Sequence, residues 1–302
     1  MRFALILLCF LPFLAQAQRR TLISSDRPGQ GQTPLVVGKN YFQMQLGLEN
    51  GLLVGQERSG GRQAKGDALH SSFFLRYGLS ARTELHVGAT IDRFRRISYF
   101  PEPPEISIWP VNPLYPASYR GMVNNLQFGF RHTLMTEGAK HDFSLGLIGS
   151  YVHNASPLHS RYRDGNGLQL GLLASKKVSK NIRALGNIGI NWGDPGAAPD
   201  LYYVVNFAFD LGKNIGLFVE TKQEVFFSKP GDSFTLLDGG LTWLLAPNFQ
   251  LDLYGGWSQF LTTNLLQGNF FGPLALRESY GFVALGLSWR IKALPSKPKI
   301  DV

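Results

Sequence analysis

Histidine, serine and charged residues are the first candidates for chemistry in this chain. Its six histidines are His70, His86, His132, His141, His153 and His159. A nucleophilic serine needs a base within hydrogen-bond reach and a group to orient that base. His153, Asn154, Ser156 and His159 share one connecting segment, and residues so close along a loop seldom reach that geometry. They define an alternative reading, a lipid hydrolase with a rim Ser/His site. His70 and His86 fall near the same ends of neighbouring strands and on one face, so a metal pair is conceivable there. Spacing supplies no third ligand of the kind a zinc site needs, and two polar side chains lining an interior is the simpler reading. There is no P-loop, no dinucleotide fingerprint and no HExxH. No catalytic, cofactor-binding or metal-binding residue is assigned, and no enzyme activity is expected.

A second set of polar residues shares one face of successive segments: Arg76, Glu84, His86, Asn125, Gln127, Arg131, Arg183, Glu220, Lys222, Glu224 and Asp252. If that face lines a lumen, its mixed sign predicts weak charge selectivity or an ion-paired, nearly closed interior. A third set lies in 93–120, where Arg93, Arg95 and Arg96 precede a proline-rich stretch that holds Trp109. Prolines restrict the chain, so this segment is read as a shaped loop. It could fold inward as a gate, form a binding lid, or pair its arginines with lipopolysaccharide phosphates.

These residues must be held by strands. From residue 40 onward, segments of about ten residues alternate in polarity with the period of two that β-strands impose. They lie near 40–50, 68–77, 83–92, 121–133, 141–153, 166–176, 181–192, 200–210, 214–224, 233–243, 248–258 and 279–290. In 83–92, Leu85, Val87, Ala89 and Ile91 oppose Glu84, His86, Thr90 and Asp92. Short turns at 78–82, 134–140, 177–180, 211–213 and 244–247 alternate with long connections at 51–67, 92–120, 154–165 and 259–278 and moderate ones at 193–199 and 225–232. Aromatics collect at both strand ends: Tyr41, Tyr77, Phe143, Trp243, Phe249 and Trp289 beside the short turns, and Tyr151, Trp192, Tyr203, Trp257 and Tyr280 beside the long loops. Sorted loops, two aromatic girdles and one strongly polar face predict an all-β fold, a transmembrane antiparallel up-and-down barrel of about twelve strands. A soluble sandwich shares the alternation but does not sort its loops.

Before the barrel, Arg2, the apolar stretch Phe3–Leu14 and Ala15-Gln16-Ala17 form a secretory signal, 1–17. Residues 18–39 are a polar leader, either periplasmic or a plug. The barrel occupies 40–290, and 291–302 form a periplasmic tail. The single cysteine, Cys9, lies in the signal, which excludes disulfides and thiol chemistry from the mature chain. The net charge of +9 is spread along the sequence. It suits outer-membrane lipid and lipopolysaccharide better than nucleic acid, for which no motif is present. A mean hydropathy of −0.05 fits a barrel whose strands alternate apolar with polar residues.

Ser25-Asp26-Arg27-Pro28-Gly29-Gln30, followed by Thr33-Pro34 and Lys39 to Met44, resembles the DRPDxT-x-SP…GxxQxExG opening of a family of outer-membrane transporters named for the meta-pathway of phenol degradation. Tyr77 to Leu85 resembles that family's second hallmark, a turn reading G-L-S/T-x-x-x-E-L/V; Gly29 and Gln45 depart from its usual acidic residues. The resemblance implies a barrel-type transporter in the outer membrane of a Gram-negative-type bacterium. The function expected is passive passage of small solutes, aromatic or apolar ones among them, without a cofactor. A plugged structural or adhesive barrel is the other alternative. Asp26 and Arg27 are candidate plug residues, with Glu49 or Glu84 as carboxylates that Arg27 could reach.

Overall fold

The computed structural model describes residues 31–57, 63–100, 122–154, 166–193, 198–227, 233–262 and 276–293. It is a closed antiparallel barrel of twelve strands, each paired with its neighbours in sequence, with the last joined to the first. The strands are β1 Tyr41–Glu57, β2 Gln63–Gly78, β3 Thr83–Phe100, β4 Met122–Met135, β5 Ser144–Asn154, β6 Gly167–Lys177, β7 Ile182–Trp192, β8 Asp200–Asp210, β9 Ile215–Val225, β10 Ser233–Ala246, β11 Phe249–Thr262 and β12 Leu276–Lys292. All 17 residues of β1 find partners on β12, from Tyr41 opposite Lys292 to Glu57 opposite Leu276. Closure leaves no strand edge with unpaired amides, which a sheet surrounded by hydrocarbon requires.

Polarity is inverted relative to a water-soluble core. On β6 the outward column Leu168, Leu170 and Leu172 is about half exposed, whereas Leu173 on the inward column is fully buried. Across the barrel, Gln43, Arg76, Glu84, Arg131 and Asp252 have no exposed surface, yet Leu48, Leu253 and Val283 are open to the surroundings. Charged residues are almost never fully buried unless paired. An exterior this apolar is stable only against lipid.

Strand lengths differ around the barrel. β1, β2, β3 and β12 have 16 to 18 residues, and β5 to β9 have 11. At ~3.3 Å per residue and a ~40° tilt, the short wall stands about 28 Å high and the tall wall about 43 Å. The tall wall corrects several sequence boundaries. Residues 51–67 were expected to form a long loop, but β1 and β2 run on as a ladder to Gln56 opposite Gln63, leaving only 58–62 between them. β3 likewise reaches Phe100, so Arg93, Arg95 and Arg96 are strand residues and not loop residues. Arg93 pairs with Leu69 and Arg95 with Asp67, and Arg96 is the extra residue of a bulge. Above the hydrocarbon both faces of a hairpin meet water, so the ladder continues where the apolar alternation has stopped. Trp109 and the rest of 101–120 lie outside the described residues. Tyr41 and Tyr280 also depart from the girdle reading, because both fall on inward columns, with Gln43 and with Phe282.

Candidate functional site

The inner wall is organised around one carboxylate. The tight turn at 79–82 sets the end of β2 beside the start of β3, which brings Arg76 and Glu84 together. Arg76 donates from Nε to Glu84 Oε1 at 2.7 Å and from Nη2 to Oε2 at 2.9 Å. From β4, Arg131 Nη1 lies 3.7 Å from Oε1. All three side chains are fully buried. A forked guanidinium–carboxylate pair is the strongest arrangement of these groups, and the second arginine shares the same carboxylate. One row further along, His86 Nε2 and Ser150 Oγ are 2.9 Å apart, reaching from β3 to β5 across β4. The residue between them is Gly129, where a Cβ would collide with His86 Nε2 and lie 2.6 Å from Ser150 Oγ. Glycine is what allows that bond.

Residues 31–37 run through the lumen against these groups. The Val37 amide donates to Glu84 Oε2 at 2.8 Å, and Arg76 Nη2 donates to the Leu35 carbonyl at 3.1 Å. Thr133 Oγ1 donates to the Pro34 carbonyl at 2.7 Å. Asn187 on β7 then holds Gln32 by both backbone groups, accepting from its amide at 2.8 Å and donating to its carbonyl at 2.7 Å. At Gly31 a Cβ would run into the Glu220 carboxylate on β9. β3 and β9 stand six strands apart in a ring of twelve. Twelve strands at ~4.8 Å spacing and ~40° tilt close at about 24 Å across. The segment bends at residue 34 and meets β2, β4 and β7 between those two strands, so its contacts pass from one side of the lumen to the other. Gly38, with φ of +94°, and Asn40, with φ of +61°, turn the chain out of the lumen and into β1.

The wall from β8 to β12 differs in character. Asn206 donates to Glu220 at 3.0 Å, Asn191 donates to Glu224 at 2.9 Å, and Lys222 Nζ is 3.3 Å from Glu224. Gln250 donates to Asp252 at 2.8 Å. Among these polar groups sit Phe218, Tyr254 and Ala284, all buried, with Phe282 packed on them. Tyr254 and Phe282 meet edge-on with centroids 6.2 Å apart, and Lys222 lies over Phe234 at 5.7 Å. Buried carboxylates and aromatic rings gather on this wall, whereas the buried Arg76 and Arg131 stand on the opposite one.

Most of the sequence candidates face this interior. Arg76, Glu84, His86, Arg131, Glu220, Glu224 and Asp252 are buried inside, with Lys222 among them. Asn125 and Gln127 are partly buried on the inward column of β4, where Gln127 donates to Gln169 at 3.3 Å. Arg183 sits instead at the short-turn rim, 44% exposed, paired with Glu137 at 3.2 Å. Asp26 and Arg27 lie outside the described residues, and Glu84, one carboxylate suggested for Arg27, is occupied by Arg76. His70 and His86 are engaged apart: the His70 ring packs edge-on against Tyr280 at 5.4 Å, and His86 meets Ser150. No group of three metal-ligating side chains occurs among the described residues. His153 meets Asn166 at 2.6 Å, and Ser156 and His159 lie outside the described residues.

Sequence reasoning missed the apolar share of the lumen, namely Ile148, Leu173, Tyr202, Val204, Phe218 and Leu236. The signal was present for Phe218, which shares the parity of Glu220, Lys222 and Glu224. No periodicity announced the bonds of residues 31–37, because an extended strap held by individual side chains has none.

No family model and no curated relative matches the chain. Among solved structures, an outer-membrane channel from Pseudomonas putida F1 is similar over 87% of this chain and all of its own, at 10% identity and a TM-score of 0.56. The NanC porin matches 81% of this chain and all of its own at 8% identity, with a TM-score of 0.46. The CymD monoaromatic hydrocarbon channel matches 84% of this chain and 89% of its own at 10% identity, with a TM-score of 0.43. At such identities the likeness, carried by the first of the three, is one of fold: the architecture is that of an outer-membrane β-barrel.

Proposed function

We propose that the protein is an outer-membrane channel for the passive passage of small solutes, and that its leader crosses the lumen as a gate. The observation that carries the reading is the pairing of a lipid-facing apolar exterior with a charged interior bridged from β3 to β9 by residues 31–37. The short turns then face the periplasm and the long connections face outward. With Gln43, Arg76, Glu84, Arg131, Thr242, Gln250 and Asp252 all without exposed surface, the turn-side half of the lumen is packed. Passage therefore requires the leader to shift. The resemblance of the leader and the 77–85 turn to the phenol-pathway transporters supports the same reading. So does the aromatic wall of Phe218, Tyr254 and Phe282, which gives a small aromatic or apolar solute flat surface to meet beside polar groups.

Flux into liposomes tests this directly. Vesicles carrying the folded mature protein should take up a small aromatic alcohol or acid faster than empty vesicles, and faster than they take up a disaccharide. Equal rates with and without protein, both for the intact chain and for one lacking residues 31–37, would instead identify a plugged structural barrel.

A further inference from the structure

Three of the short turns are built alike. In each, the first turn residue donates its amide to the carbonyl four positions on: Leu79 to Thr83 at 2.9 Å, Val178 to Ile182 at 2.9 Å and Leu211 to Ile215 at 3.0 Å. Each of these residues extends the outward column of the preceding strand. These residues remain 46%, 59% and 59% exposed. A cation follows each within three positions: Arg82, Lys180 and Lys213, all exposed. Lys176 ends the outward column of Leu168, Leu170, Leu172 and Ala174 on β6. Among the described residues none of these four cations forms an ion pair. Of the carboxylates at this rim, Glu137 is taken by Arg183 and by the Lys177 amide, and Asp142 and Asp210, both exposed, leave the cations in excess. Trp243 and Trp289 point outward from the same rim.

An apolar side chain at the acyl boundary with a cation just beyond it matches the depth profile of a lipid leaflet, where chains give way to phosphates. The repetition in three separate turns places that pair at intervals around the rim. We infer that the short-turn rim is a docking surface for the anionic phospholipid head groups of the leaflet it meets. This rests on the reading of the chain as a membrane barrel, but not on the channel or its gate. The turn leucines and valine set the depth, and Arg82, Lys176, Lys180 and Lys213 supply the charge. The surface lies at the opposite end of the barrel from Arg93, Arg95 and Arg96, so it is separate from any contact with lipopolysaccharide.

Tryptophan quenching by brominated lipid tests the inference on the full mature protein. Trp109→Phe, Trp192→Phe and Trp257→Phe leave Trp243 and Trp289 as reporters at this rim. In phosphatidylcholine vesicles with a minor share of brominated phosphatidylglycerol, quenching should exceed that from an equal share of brominated phosphatidylcholine. The expected preference is about threefold or more. It should fall to about one when Arg82→Gln, Lys176→Gln, Lys180→Gln and Lys213→Gln are combined, with the single changes giving intermediate losses should the combination fail to fold. Equal quenching by the two lipids in the parent protein overturns the inference. So does a preference unchanged in the single and combined variants, or one abolished by soluble glycerol phosphate, which would mark a site for free phosphate. Absence of quenching by either lipid would instead refute the membrane barrel itself.

Discussion

Glu84 accepts hydrogen bonds from Arg76 and the Val37 amide and lies 3.7 Å from Arg131 Nη1, so one carboxylate ties the wall's arginines to the leader. Glu84→Gln keeps the shape but removes the charge that both Arg76 and Arg131 meet. Breaking a buried pair from one side costs about 3–5 kcal/mol, so the midpoint of urea unfolding from vesicles should fall clearly. An unchanged midpoint would mean that the arginines find other anions. Gly129 offers a second test, since its missing side chain is what lets His86 meet Ser150. Gly129→Ala should cost about 1–3 kcal/mol by overpacking, and a His86→Ala background should relieve only part of it, because the added Cβ would still meet the Gly149 carbonyl and Ser150 Oγ. Most individual lining residues were legible in the sequence, since alternation fixes which way each side chain points. What alternation could not supply was depth, and Arg183 shares the parity of Asn187 yet stops at the rim with Glu137.

Strands, turns and leader were legible to different degrees, for physical reasons. Within the hydrocarbon each strand must present one apolar face, so all twelve segments left a period-two trace. Beyond it the demand lapses, and the extensions of β1, β2, β3 and β12 left none. The leader is legible only as a breaker-rich stretch with a family-like motif. Its place in the lumen depends on the wall side chains of Arg76, Thr133 and Asn187, each far away along the chain. Because the sequence has no cysteine after Cys9, a single introduced thiol can report on that placement. Thr33 is 8% exposed, so Thr33→Cys should react with a bulky, membrane-impermeant maleimide much more slowly than Lys213→Cys on its open turn. Comparable rates would put the leader outside the barrel.

At the scale of the whole molecule, the fold follows from inverted polarity plus closure: lipid covers the apolar columns, and paired charges fill the interior. Leu285 lies on an outward column in the middle of β12, opposite Leu48 and Leu253. Leu285→Arg should therefore cost about 2–4 kcal/mol of stability in a bilayer, as for a charge near the midplane on the lipid face. A change near zero would mean that this face meets water. The leader that crosses the lumen is the part of the account with the largest functional consequence, and single-channel recording in a planar bilayer addresses it most directly. The intact mature chain should show small or rare openings, and the same chain lacking residues 31–37 should show a larger, steady conductance. Equal conductance with and without those residues would contradict the account.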